Sequence, residues 1–137
     1  ARSGLGRERK KVSMLEMKPV QNKNLILELF EKENVPFQEG CGAFGISERG
    51  DLAGYCLFRL EQSMRMLAVC CDDPFLLDGL VRATLNHGSL SGAAEADFSA
   101  LEGQMRDRLD KLGYFQKEPL PIEWFFTSCK PCKGVTE

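Results

Sequence analysis

Long apolar runs are missing from this sequence. None approaches the roughly 18 residues that a membrane-spanning helix needs, and the basic N-terminal stretch is not followed by an apolar segment. Neither a membrane partner nor a signal peptide is therefore expected, and the expected location is the cytoplasm. Histidine is nearly absent: His87 stands alone, which leaves few arrangements for histidine-based catalysis or metal binding. Internal repeats and low-complexity tracts are also lacking, so the chain reads as one ordinary domain of 137 residues, 43% of them hydrophobic.

Cysteine is present six times, but the setting in which it builds disulfide scaffolds is not. A chain of this length makes its own core and carries no export signal, so the thiols are read as reduced. Cys41, Cys56, Cys70 and Cys71 lie in or beside apolar segments, where free cysteine acts as a small buried hydrophobe. The pair Cys129-Lys130-Pro131-Cys132 has the spacing of redox and metal sites. A redox role needs the motif at the start of a helix that lowers the thiol pKa, and only five residues follow Cys132. Zinc would need further ligands from Cys70, Cys71 or His87, and adjacent residues on a strand point to opposite faces. No metal is expected, and residues 129–137 read as a tail.

The net charge is −2, unevenly spread. Residues 1–11 hold Arg2, Arg7, Arg9, Lys10 and Lys11 against Glu8, so a basic tail precedes an acidic body. Such an arm can bind nucleic acid. The acidic body repels a phosphate backbone, however, and the tail has no aromatic residue to stack on bases, so nucleic acid is not an expected partner.

The chain is organised around Met64 to His87. Met66 to Val69 is an apolar run suited to a strand buried on both faces. Asp72, Asp73 and Pro74 stop it: Asp73 can cap a helix whose first position suits proline. Leu76, Leu77, Leu80, Val81, Thr84 and Leu85 recur at three- and four-residue steps on one helical face, ended by Asn86, His87 and Gly88. There His87 would complement the helix dipole. Upstream, Val12 to Val20 reads as a strand and Leu25 to Phe30 as a helix capped by Asn22 or Asn24. Ala43 to Glu48 and Leu52 to Glu61 form a hairpin about Gly50. Downstream come a strand from Ala93 to Phe98, a helix with a Ser99/Glu102 capping box and a Gly113 stop, and a last strand from Ile122 to Ser128. The domain spans 12–128. A three-strand meander followed by a strand-helix-strand crossover predicts a mixed sheet.

This order, with Leu67-Ala68-Val69 feeding the helix text Gly79 to Leu85 and with Asp110-Lys111-Leu112-Gly113-Tyr114-Phe115 ending a later helix, resembles the GNAT superfamily of acyl-CoA-dependent N-acetyltransferases. The resemblance covers nearly the whole body. It implies an α/β (α+β) fold: a mixed, mainly antiparallel sheet of about six strands with helices on both faces. It implies acetyl-CoA as acyl donor and a small-molecule or peptide amine as acceptor. The donor would lie against Leu67, Val69, Cys70, Pro74, Phe75 and Leu76, with a backbone amide near Val69 or Cys70 polarising the thioester carbonyl.

Two parts of the family pattern are replaced. The positions of the glycine-rich pyrophosphate turn fall near Asp72, Phe75 and Leu77, where side chains obstruct close backbone approach and the acid repels phosphate. Two like charges about 5 Å apart disfavour each other by roughly 1 kcal/mol or more. The family's frequent general acid, a tyrosine on the late helix, falls at Leu109, and Tyr114 reads as core. No catalytic residue is assigned; Glu61, Glu95 and Asp97 are substitute bases on residue type. The alternative is a non-catalytic ligand-binding or interaction module on the same fold.

Overall fold

The computed structural model describes residues 15–133, with side chains described through Thr127. The basic arm, and Val12 and Met14 of the expected first strand, lie outside them. Strand β1 (Leu15–Pro19) leads to Asn22, whose Oδ1 accepts from the amides of Asn24 and Leu25 and so caps α1 (Lys23–Lys32). β2 (Cys41–Glu48) and β3 (Asp51–Leu60) form the expected hairpin. Its two turn residues, Arg49 and Gly50, both have positive φ (55° and 87°), the geometry that matches the twist of the flanking strands. β4 (Met64–Cys71) follows, then α2 (Pro74–Leu90), β5 (Glu95–Asp97), α3 (Gly103–Lys111), β6 (Leu120–Pro121) and α4 (Ile122–Lys133).

The six strands lie in chain order, antiparallel throughout except for the parallel β4–β5 pair, which α2 joins by a crossover. One face of the sheet, with Phe44, Ile46, Cys56 and Phe58, packs against Leu77, Leu80, Val81 and Leu85 of α2, Leu109 of α3 and Phe125 of α4. The other face, with Ala43, Tyr55 and Leu57, packs against Leu29 and Phe30 of α1. Helices thus cover both faces, as the sequence implied. Among the described residues no helix is long and apolar enough to cross a membrane.

Strand β4 departs from simple alternation. Leu57 faces Ala68 in the ladder while Phe58 faces Met66, so Leu67 is an extra residue, a bulge. The bulge reverses the phase of the strand. Met64 and Met66 enter the α2 side of the core, Leu67 and Ala68 both turn to the α1 side, and Val69 and Cys71 return to the α2 side. The run Met66-Leu67-Ala68-Val69 conceals this because all four side chains are apolar.

Five expectations need correction. α2 does not end at Gly88 but continues to Leu90, because Gly88 lies against buried Met64. Ser99 and Glu102 form no capping box: the Ser99 amide donates to Asp97 Oδ1 (2.9 Å), and Glu102 precedes α3 without a side-chain cap bond. The strand near Ala93 shortens to three residues. The segment from Ile122 is a helix, preceded by the two-residue β6; Ile122 and Phe125, three apart, both enter the core. α4 reaches Lys133, so it crosses the expected tail boundary and carries Cys129 and Cys132 at its C-terminal end, not at a helix start.

A Cβ added at Gly88 would stand 2.6 Å from Met64 Sδ. Alanine gains up to about 1 kcal/mol in helix propensity, whereas overpacking a full core costs about 1–3 kcal/mol. Gly88→Ala is therefore expected to lower the urea midpoint, corresponding to a loss of about 1–2 kcal/mol. A midpoint at or above that of the parent would mean that Met64 yields freely.

Candidate functional site

The bulge and the parallel strand pair together make a fork. β4 and β5 pair only at Met64–Ala96 and Arg65–Asp97. Beyond Arg65, the remaining length of β4, from Met66 to Cys71, has no ladder partner on the β5 side. Asp97 turns the chain away at this point. Its Oδ1 accepts from the Ser99 amide at 2.9 Å, and Arg65 Nε lies 3.7 Å from its Oδ2. The Ser99 amide, helped by the Ser99 side chain and Arg65, holds the Asp97 carboxyl below the usual carboxylate range. Asp97 is thus a structural acceptor and a poor base. Of the other substitutes, Glu61 pairs with Arg59 at 2.9 Å in the exposed β3–β4 turn, and Glu95 is exposed on β5.

At the wide end of the fork is the turn from Cys71 to Phe75. Asp73 is the N-cap of α2: its Oδ1 accepts from the Phe75 amide at 2.9 Å, and Pro74 occupies the first helical turn, where no amide hydrogen is needed. The expected obstruction by Leu77 is corrected here. Phe75 is 90% exposed and projects into solvent, while Leu77 is 1% exposed and faces the core. The helical period turns Leu77 away from the turn into the core and leaves Phe75 at the surface beside it. The capping carboxylate remains as the local competitor for the amides. From α3, Arg108 Nη1 donates to the Cys71 carbonyl at 3.2 Å, spanning the fork at its wide end.

The expected cofactor-contacting residues occupy this region in two groups. Leu67, Val69 and Cys70 are half-buried on β4, and Pro74, Phe75 and Leu76 open α2. Leu109 is fully buried. Tyr114 is also fully buried, stacked on Phe125 with centroids 4.9 Å apart, and donates to Asp78 Oδ1 at 2.6 Å. Burial first, then this bond, pushes its phenol well above the ordinary range. Tyr114 is a core residue that ties the end of α3 to α2.

Sequence reasoning passed over a second group. On the α1 side of the sheet, Tyr55 of β3 is 4% exposed and donates from its hydroxyl to Glu33 Oε2, at the C-terminal end of α1, at 2.5 Å. Cys70 sits opposite Tyr55 in the ladder and its thiol meets the same hydroxyl. Burial, then the bonds with Glu33 and Cys70, raise the Tyr55 pKa, so the phenol keeps its proton. The alternation of β3 signalled the face of Tyr55; the 22-residue separation from Glu33 gave no local signal. A separate surface cleft of about 580 Å³, lined by Asp97, Ser99, Glu102, Arg106 and Glu118 among others, lies beside β5 and α3; there Arg106 holds both Glu118 oxygens at 3.0–3.1 Å.

No protein-family profile matches the chain, and no curated protein matches it. A solved structure does: a candidate acetyltransferase of the GNAT family from Desulfovibrio desulfuricans, at TM-score 0.52 and 13% identity, over 79% of this chain and 99% of that one. The chain has a GNAT-like fold. At that identity the likeness is one of architecture, and the forked β4–β5 pair is the part of the GNAT-like fold on which a functional reading can be built.

His87 is in the last turn of α2, but its ring packs between Phe44 and Phe58, with centroids 5.7 and 5.6 Å away. Desolvation lowers its pKa below the ordinary imidazole value, so burial outweighs the expected attraction to the helix dipole. The folded state thus favours neutral imidazole, and the unfolded chain binds the proton more readily. Stability is expected to be fully present above about pH 6.5 and to fall as pH drops through and below that value. Thermal melts between pH 7.5 and 5 check this; His87→Phe should flatten that part of the profile, and an unchanged slope would contradict it.

Proposed function

We propose that the chain is an acyl-CoA-dependent N-acyltransferase that takes acetyl-CoA as donor and an amine as acceptor. The observation that carries this reading is the outer edge of β4, which lacks a ladder partner from Met66 to Cys71. An extended ligand with amide groups, such as a pantetheine arm, adds to an open strand edge through main-chain hydrogen bonds. In this reading Leu67, Val69 and Cys70 supply that edge, and Pro74, Phe75 and Leu76 flank its far end. A backbone amide near Val69 or Cys70 serves as donor to the thioester carbonyl, the group on which negative charge develops.

The protein's contribution is then chiefly positional. It fixes the thioester against β4 and brings a neutral amine to it in a defined orientation, which can supply several kcal/mol of barrier reduction, about 7–11 in the best-oriented systems. The strand edge suits the pantetheine arm better than the turn suits the pyrophosphate. Asp73 already satisfies the Phe75 amide, and Asp72 adds a second negative charge beside it. Those two acids, the Arg108 bond to the Cys71 carbonyl and the apolar Leu109 favour a second reading. In it the fold is retained as a non-catalytic ligand-binding or interaction module.

Calorimetric titration with acetyl-CoA separates the two. Saturable micromolar binding by the parent chain is the expected result. In the double variant Asp72→Ala, Asp73→Ala the affinity should rise by about tenfold, since removing one near-surface repulsion of about 1.4 kcal/mol gives that factor. Loss of the cap should lower that variant's own stability by about 1 kcal/mol. Absence of binding by the parent at millimolar acetyl-CoA, with binding gained in the variant, would support the module reading.

A further inference from the structure

Strand β1 is an outer strand of the sheet: its one ladder partner among the described residues is β2. The opposite edge, β6, is only two residues long and too short to template a further strand. Just past β1, the Val20 amide donates to the Ala43 carbonyl at 2.9 Å. The register of β1 with β2 is uninterrupted, so the alternation of an antiparallel ladder turns the backbone groups of Lys18 and Glu16 toward β2 as well. Those of Leu15, Met17 and Pro19 face outward. Of these, Pro19 offers a carbonyl but no amide hydrogen.

The side chains divide in the same way. Leu15 and Met17 are exposed apolar residues on the α2 side, and Met17 Cε lies 3.1 Å from where a Cβ on Gly79 of α2 would stand, so the helix holds this edge in place. Glu16 and Lys18 are exposed on the α1 side, where Lys18 borders a small cleft with Val20, Leu25 and Leu52. Lys18 Nζ is 3.4 Å from Glu16 Oε1. An open edge with exposed apolar side chains recruits another strand, whereas a short length, a lysine and a proline restrict what it can recruit. Here these restrictions leave one closed arrangement.

We propose that β1 is a homodimer interface: two copies of the chain pair their β1 strands antiparallel about a two-fold axis at Met17 and join their sheets into one. In this register each Met17 amide donates to the partner's Met17 carbonyl, and each Leu15 amide donates to the partner's Pro19 carbonyl. Glu16 then stands opposite the partner's Lys18, and Lys18 opposite the partner's Glu16. Leu15, Met17 and Pro19 of both copies make one apolar strip on the α2 side. Centring the pair on Glu16 or on Lys18 instead would set like charges directly opposite each other, which is destabilising. Pro19 has no amide to give the partner's Leu15 carbonyl, so the ladder ends there. The same patch serves both copies, and such a contact closes at two. The inference stands apart from the N-acyltransferase reading, because the fork between β4 and β5 is separated from β1 by β2 and β3.

Sedimentation velocity of the full chain over a roughly hundredfold range of concentration is the test, since an interface of so few residues belongs to the small, weak class. The parent should pass from monomer to dimer as concentration rises, with no larger species. Glu16→Lys and Lys18→Glu each replace both attractive pairs across the axis by like charges, and each should weaken dimerisation by about tenfold or more. Both side chains are exposed, so the two variants should melt near the parent's temperature. An equal mixture of the two single variants should recover the dimer, because one copy then offers two lysines opposite the two glutamates of the other. The double variant Glu16→Lys, Lys18→Glu should recover it alone. A parent that stays monomeric throughout overturns the inference. So does a dimer that the single changes leave intact, or one that the mixture and the double variant fail to restore.

Discussion

The bulge at Leu67 is the constraint on which the rest of this structure depends. A strand whose side chains alternate without interruption would send Met66 and Ala68 into the same layer. Here the extra residue lets Met64 and Met66 fill the space beneath α2 while Leu67 and Ala68 cover the α1 side, so one strand serves both cores in turn. A bulge also bends its strand and increases local twist. The parallel pairing with β5 ends at the Arg65–Asp97 pair, and Arg65 stands two residues before the bulge. The fork is thus continuous with the packing of the hydrophobic core.

That coupling explains why the two ends of the fork are held by polar groups of the chain itself. At the closed end, Asp97 collects the Ser99 amide and Arg65 and fixes where β5 departs. At the wide end, Arg108 supplies the Cys71 carbonyl with a donor that a sheet neighbour would otherwise provide. Backbone groups taken out of a ladder must find partners or water, and here a side chain from α3 spans the gap. The Asp73 cap follows the same logic at the start of α2, satisfying an amide locally. A ligand entering the fork competes with these internal bonds, so its affinity is a difference between two sets of contacts.

The architecture was largely legible before any coordinates. The hairpin about Gly50, the Asn22 and Asp73 caps, the Pro74 start and the Gly113 stop each rest on chemistry within four residues of chain, and each stands in the structure. The errors lay where a local pattern suited two structures. Ile122 to Phe126 has the aromatic content of a strand, yet Ile122 and Phe125 share one buried face at helical spacing. Gly88 has the composition of a helix end but is carried into the helix because Met64 needs the space its missing side chain leaves. Ser99 and Glu102 satisfied a pattern, but the Ser99 amide was already engaged by Asp97.

By itself the sequence determined the order of the elements as far as α3, the mixed sheet, the two-sided burial and the acidic turn, because periodicity, caps and turn residues act over a few positions. Tertiary structure alone decided the position of the bulge, the end of the β4–β5 pairing, the Arg108 bond and the meeting of Glu33 with Tyr55. The partners in these contacts come from different elements, up to 37 residues apart. Their side-chain types carry no record of that distance. The packing of both faces of one sheet brings them together.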